Sequence, residues 1–203
     1  MFTDFDQDAQ TLAQALLGKV IRVKHNELWL AARIIETEAY YLADKASHAS
    51  LGYTEKRKAL FMPAGTIYMY YARGGDSLNV SAQGEGNAVL IKSAYPVIET
   101  PAQLAIMQQN NPLNGRIRPE ARLCNGQTLL CKSLGLRVLE WDGQAFDPAS
   151  FFIAQDDYQT KDILQTIRLG IPEGRDGHLP YRFIDGNFVQ FVTKKPREYC
   201  YVR

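Results

Sequence analysis

Arg33-Ile34-Ile35-Glu36-Thr37-Glu38-Ala39-Tyr40-Tyr41 opens the stretch around which the rest of the chain is organised. His48 follows, then Phe61-Met62-Pro63-Ala64-Gly65-Thr66-Ile67-Tyr68-Met69-Tyr70-Tyr71, and Leu78-Asn79-Val80-Ser81 closes it. The quoted segments hold two carboxylates, one of the three histidines and five of the eleven tyrosines. Carboxylates beside aromatic rings suit the binding and hydrolysis of something flat and electron-poor. In a strand, alternate residues share a face. That alternation groups Ile34, Glu36, Glu38 and Tyr40 on one side, with Ile35, Thr37 and Ala39 on the other. Tyr68 and Tyr70 share a face in the same way.

Working outward, Asp6 to Leu17 reads as a short amphipathic helix stopped by Gly18. Val20 to Val23 and Leu28 to Tyr40 read as a hairpin turning at Asn26. Tyr41 to Leu60 is polar and aperiodic, and a loop of that length is usually functional or disordered. Strands follow at Thr66–Tyr71, Leu78–Ser81 and Ala88–Tyr95. Thr100-Pro101 marks a helix start, and Pro119–Cys124 and Gln127–Leu134 read as two more short helices. The last third reads as strands at Phe151–Ala154, Ile163–Gly170, Phe183–Ile184 and Phe188–Thr193, with a hairpin turn at Asp185-Gly186-Asn187. Strands follow strands rather than alternating with helices, so the class is α+β with an antiparallel or mixed sheet.

The chain of 203 residues fits one domain, residues 1–203, and 46% hydrophobic residues allow a sizeable core. A net charge of +1 does not by itself advertise nucleic acid. A DNA-binding face would have to be a local cluster, with candidates at Lys45, Lys56, Arg57, Lys58 and Arg73, then Arg116, Arg118, Arg122, Lys132 and Arg137, then Lys194, Lys195 and Arg197. Three cysteines, Cys124, Cys131 and Cys200, point to reduced thiols in an intracellular protein. Their spacing fits no common zinc motif, so no metal is expected. Asp4, Asp6 and Asp8 carry the wrong sign for a signal or transit peptide. No apolar run approaches the ~20 residues of a membrane span.

Glu36 and Glu38 are either a solvated strand face or, at a pocket mouth, a source of general-base chemistry. Tyrosines on a strand serve packing or stacking, and a loop histidine is either exposed and idle or a donor to a ligand. Competing motifs fail. Gly84-x-Gly86 lacks the rest of a dinucleotide fingerprint, Gly74-Gly75 precedes no phosphate-binding lysine, and no Gly-x-Ser-x-Gly elbow or zinc-deaminase signature is present.

Taken together, these residues resemble the alkyladenine (3-methyladenine) DNA glycosylases of the mammalian type. The likeness is carried by Arg33 to Tyr40, His48, Met62-x-x-Gly65-Thr66-Ile67-Tyr68-Met69-Tyr70, Leu78-Asn79-Val80-Ser81 and Gln83-Gly84-Glu85-Gly86. It continues through Val89-Leu90-Ile91, Leu123-Cys124-Asn125-Gly126 with Leu130-Cys131, and Pro180-Tyr181-Arg182-Phe183. It spans Leu12 to Val192, with the motifs in family order. It implies a single domain with a curved, mainly antiparallel sheet, a protruding β-hairpin and flanking short helices. Glu38 resembles the carboxylate that activates water. Tyr40 and Tyr70 resemble opposite walls stacked on a flipped base, and Tyr68 a support for the second. His48 resembles the histidine at the pocket edge, and Asn79 the asparagine that excludes exocyclic amino groups.

Three departures stand out. The loop after Tyr40 is one residue shorter than the family pattern. So is the turn Tyr71-Ala72-Arg73-Gly74-Gly75, which leaves the duplex wedge as Tyr71 or Arg73. Lys92 stands where the family has an arginine beside the catalytic glutamate; it keeps the charge and loses the bidentate fork. The expected activity is hydrolysis of the N-glycosidic bond of alkylated or deaminated purines, without cofactor, metal or strand cleavage. The expected partner is double-stranded DNA containing damaged purines, bound by a monomer with no membrane contact. The alternatives are a non-catalytic damaged-DNA-binding module and a nucleoside hydrolase. The second lacks its aspartate-rich calcium cluster here.

Overall fold

The computed structural model describes residues 1–72 and 74–202. Nine strands form one sheet among the described residues: β1 (Val20–His25), β2 (Leu28–Tyr40), β3 (Ile67–Ala72), β4 (Gly75–Ser81), β5 (Ala88–Pro96), β6 (Phe151–Ala154), β7 (Ile163–Thr166), β8 (Arg182–Asp185) and β9 (Cys200–Tyr201). The helices are α1 (Ala9–Leu16), α2 (Pro101–Asn110), α3 (Gln127–Leu134) and α4 (Val138–Trp141). The order β3-β4-β5-β2-β8-β7-β9 runs across the sheet, with β1 between β2 and β6. Each pairing among the described residues is antiparallel, as expected for an α+β chain of successive strands. No helix among the described residues is long and apolar enough to cross a membrane.

β2 is the hub. Along one edge it pairs with β5 from Ala32 to Tyr40. On the other edge it pairs first with β1 and then, from Glu36 to Glu38, with β8. The strand is buried almost throughout, which is why it reads as a near-continuous apolar run with two glutamates inside it.

Strict alternation along β2 is broken. Ile34 pairs with Ala94 and Glu36 with Ser93, while Thr37 pairs with Ile91. Ile35 and Lys92 are therefore extra residues, one on each strand, and the ladder then resumes its original register. A bulge re-aims the side chains around it. Ile34 and Ala39 belong to the main core, and the Thr37 hydroxyl donates to the Ala13 carbonyl of α1 at 2.8 Å. Ile35 packs instead in a second apolar cluster with Leu164, Ile184 and Val192. The expected grouping of Ile34 with the glutamates, and of Ile35 with Thr37, is corrected accordingly.

α1 begins at Ala9 because Asp8 is its cap, not a helical residue. The Asp8 carboxylate accepts from the backbone N–H of Gln10 and Thr11. Its apolar stripe, Ala9, Leu12, Ala13 and Leu16, is fully buried. Each leucine contributes about 1.5–3 kcal/mol of burial. α2 opens with a reciprocal capping box between Thr100 and Gln103, with Pro101 in the first turn. α3 ends at Gly135, whose φ of 71° suits glycine.

Other expectations fail locally. Pro119–Cys124 forms only a 3-10 turn at Glu120–Arg122. Residues beyond Thr166 leave the sheet, so the strand expected to reach Gly170 is four residues long. Asp185-Gly186-Asn187 is no hairpin. The Asp185 carboxylate accepts from the Asn187 N–H at 3.0 Å and starts a 3-10 turn, so Phe188–Thr193 is not a strand. Phe188, Phe191 and Val192 pack on the second cluster instead.

Candidate active site

The two glutamates of β2 are both fully buried, so neither lies on a solvated face. Their environments differ. Glu36 is enclosed by protein: Arg182 Nε donates to one oxygen at 2.6 Å, and Ser93 Oγ (2.5 Å) and the Thr193 N–H (3.0 Å) donate to the other. It is a structural ion pair. Glu38 is bonded by groups that line a cavity of about 240 Å³. Tyr40 Oη donates to Oε2 at 2.7 Å, and the Leu169 N–H donates to Oε1 at 3.0 Å. Lys92 Nζ stands 3.5 Å from each oxygen.

The cavity gathers Tyr40, His48, Tyr68, Tyr70, Asn79 and Lys92 from β2, β3, β4, β5 and the loop after β2. Glu38 lies immediately beneath this lining. Alternation along β3 turns both Tyr68 and Tyr70 inward, with ring centroids 5.8 Å apart. His48 packs against Tyr70 at 4.5 Å between centroids, and its Nδ1 is 2.9 Å from the Tyr68 hydroxyl. Asn79 donates its amide to the Tyr68 carbonyl at 3.1 Å, which fixes the orientation of that side chain. Tyr71, turned the other way near the end of the β3–β4 hairpin, is 69% exposed. Arg73 lies outside the described residues.

Burial holds the Tyr40 and Tyr68 hydroxyls protonated well above the usual phenol range; at Tyr40 the Glu38 charge adds to this. Desolvation lowers the His48 pKa, and the Arg57 and Arg175 charges push it the same way. His48 is therefore neutral at pH 7. Its Nδ1 either accepts from the Tyr68 hydroxyl, leaving the imidazole proton on Nε2, or donates to it, leaving Nε2 an acceptor.

Four contributors were not apparent in the sequence reading. Arg168 is buried, with its guanidinium 4.6 Å over the Tyr40 ring and 5.3 Å over Tyr181. It also pairs with Asp44 and donates to the Ala39 carbonyl. Arg175 bonds the Lys45 carbonyl while Asp176 accepts from the Lys45 N–H, clasping the loop after β2 to residues 167–177. Leu169 supplies the backbone donor to Glu38. Gln127, the first residue of α3, accepts from Lys92 Nζ at 3.0 Å. For Arg168, Leu169 and Arg175 the available signal was the length of the connection between β7 and β8, rich in Gly and Pro and carrying two arginines, since long loops in compact domains are often functional; Gln127 carried no such signal.

Chemically, the arrangement offers a slot walled by aromatic rings, a neutral histidine, and a buried carboxylate with one lysine beside it. Among the described residues no cluster of three or more His, Cys, Asp or Glu side chains could hold a metal. This combination suits an N-glycoside hydrolase that accepts a planar base.

Comparison with known proteins agrees. The family model described as Methylpurine-DNA glycosylase (MPG) matches residues 3–187. A protein of Pseudomonas savastanoi pv. phaseolicola, assigned as a 3-methyladenine DNA glycosylase, is 63% identical over 196 residues, covering 95% of this chain and 88% of its own length. A protein of Pseudomonas aeruginosa with the same assignment is 59% identical over 198 residues, covering 96% of this chain and 83% of its own length. The DNA-3-methyladenine glycosylase of Rattus norvegicus is 40% identical over 136 residues, covering 64% of this chain and 43% of its own length. The chain belongs to the methylpurine-DNA glycosylase family.

Proposed function

We propose that this enzyme turns a damaged purine nucleotide out of duplex DNA into the tyrosine-lined cavity, where Glu38 activates water for attack on C1′. Family membership makes the chain an N-glycosylase of base excision repair, a 3-methyladenine DNA glycosylase acting on alkylated purines. A stacked base cannot present its C1′ to a carboxylate, so extrusion precedes chemistry. Exposed Tyr71 is the described residue best placed to fill the gap left in the duplex. Tyr40 and Tyr70 stack on the extruded base, Tyr68 and His48 support the second wall, and Asn79 crowds the purine edge against an exocyclic amino group.

The water oxygen bonds to C1′ while its proton passes to Glu38. The C1′–N bond breaks and its electron pair leaves with the base. An N-alkylated purine is cationic and departs neutral, so no acid partner is required; this is the inverting arrangement with one carboxylate dispensed with. Lys92 stands beside the carboxylate, 3.5 Å from each oxygen, and helps to orient it. We take the enzyme to act as a monomer on duplex DNA, inside the cell where that substrate lies.

One observation carries this reading. A buried carboxylate has three partners, Tyr40, Leu169 and Lys92, each lining a cavity sized for a base. A binding module has no use for a carboxylate so close to a polyanion. Glu38→Gln should bind a lesion-bearing duplex like the native enzyme while base release falls by about 100-fold or more. Native single-turnover excision in that variant would exclude Glu38 as the base.

A further inference from the structure

Gln127 is the junction between the catalytic pair and the base-binding wall. Its side chain reaches three groups on three strands: Lys92 on β5, Tyr70 on β3 and Ser77 on β4. An ammonium can only donate, so the carbonyl oxygen of the amide must face Lys92. The amide nitrogen then donates to Tyr70 Oη at 3.2 Å and to Ser77 Oγ at 2.8 Å. No alternative orientation of the amide serves all three partners.

The distances around Lys92 carry the point further. A lysine free to approach a carboxylate closes to about 2.7–2.9 Å. Here Nζ stands 3.5 Å from both oxygens of Glu38 and 3.0 Å from Gln127. The nearer partner is the neutral amide, not the charged carboxylate. Glu38 already accepts one short bond at each oxygen, from Tyr40 and from Leu169. A lysine closing fully would add a third strong donor to the group that must take a proton from water. Gln127 sits on a helix whose buried residues Leu130, Cys131 and Leu134 anchor it to the core. It is a fixed post from which the ammonium is held back.

We propose that Gln127 is a positioning residue for excision: it sets the stand-off of Lys92 from Glu38 and ties that stand-off to the Tyr70 wall. The inference rests on the catalytic reading given above for Glu38 and Lys92. It also gives this chain's lysine a partner that supplies a second directional contact, in place of the fork an arginine would bring.

The test is a double-mutant cycle on single-turnover excision from a 7-methylguanine-containing duplex, with affinity for an abasic-site duplex measured in parallel. Gln127→Met, of similar length and flexible, removes all three bonds. Excision should fall about tenfold or more, since a misplacement of 1 Å at a catalytic group costs on the order of 100-fold, while product affinity stays within about twofold. In the Lys92→Met background, Gln127→Met should cost clearly less than it does in the native enzyme, because only its bonds to Tyr70 and Ser77 are left to lose. Additive losses would overturn the proposal, as would native excision in Gln127→Met. If Gln127→Met does not fold, Gln127→Asn, one methylene too short to reach Lys92, goes through the same cycle. Unimpaired excision in Lys92→Met would instead defeat the catalytic reading of Lys92, a result distinguishable from additivity.

Discussion

Glu36→Gln is an isosteric change two residues from Glu38, the carboxylate proposed to activate water, and it should damage the fold rather than the chemistry. Glu36 accepts from Arg182 Nε at one oxygen and from Ser93 Oγ and the Thr193 N–H at the other. Glutamine has one oxygen and one NH2 at those two places. With its oxygen toward Thr193, its NH2 meets the Arg182 N–H, donor against donor. With the amide flipped, the NH2 meets the Thr193 N–H instead. Either orientation also leaves the Arg182 charge without its counter-ion, at 1% exposure. Breaking one side of such a pair costs about 3–5 kcal/mol. For a chain of this size, roughly 2–4 °C per kcal/mol turns that into a fall in Tm of roughly 6–20 °C. Glu36→Leu with Arg182→Met removes both charges and should recover most of the loss. Calorimetry gives the Tm values, and single-turnover base release is measured well below the lowered Tm. A Tm within 2 °C of native, or a folded Glu36→Gln enzyme that no longer releases base, would refute this division of labour between the two glutamates.

Removing either tyrosine wall should cost about 1–3 kcal/mol of base stacking, on top of the lost hydroxyl bond to Glu38 or Gln127, which affects both lesions alike; the two walls should differ in which lesion suffers more. The Tyr40 ring already faces the Arg168 cation, whereas Tyr70 faces neutral His48. Tyr70→Leu should therefore lose more on cationic 7-methylguanine than on neutral hypoxanthine, and Tyr40→Leu should lose equally on both; single-turnover rates on the two duplexes decide. The lowered His48 pKa lies below the ordinary imidazole value of about 6.5, so the unfolded chain binds the proton more readily than the folded one. Stability from this group is complete above that value and is lost as pH falls through the folded one. Over the same window, the new charge beside Arg57, Arg175, Tyr68 and Tyr70 should slow excision of 7-methylguanine, and an unchanged acid limb in His48→Gln would contradict that. DNA affinity should fall steeply with salt despite the net charge of +1, because local cations such as Arg57 and Arg175 release counterions; a flat titration would rule local patches out.

Much of the frame could be read from residue order because local signals agreed with tertiary ones. β2 and α3 have the bounds expected, since one is a long buried run ended by Tyr40 and the other lies between Gly126 and Gly135. That Tyr68 and Tyr70 share a face followed from their two-residue alternation; that the face lines a pocket was implied by the family resemblance. The bulge at Ile35 was not legible, because neither glycine nor proline marks it. It exists to let Ile35 join one cluster while Thr37 and Ala39 face another. Phe188–Thr193 misled for the opposite reason: its apolar residues are needed for packing, but Asp185 captures the Asn187 N–H before a strand can begin. Arg168 was illegible as part of the site because its work is done on the hidden side of Tyr40, and nothing in a single sequence announces which ring a buried arginine will cover.

The clasp joining Lys45 to Arg175 and Asp176, with Asp44 paired to Arg168, has a consequence for how the enzyme searches DNA. Both segments that flank the Tyr40 wall are fastened before any substrate arrives. The entropy of ordering them is spent during folding rather than at each encounter. A base swinging out of the helix meets a slot already shaped, and the time needed to test it is only the time it stays out. Lesions that pair or stack weakly dwell outside longer and are sampled more often. If this cavity receives the extruded base as proposed, discrimination begins in the duplex itself, as a kinetic bias in favour of loosely held nucleotides, before any contact in the pocket has been made.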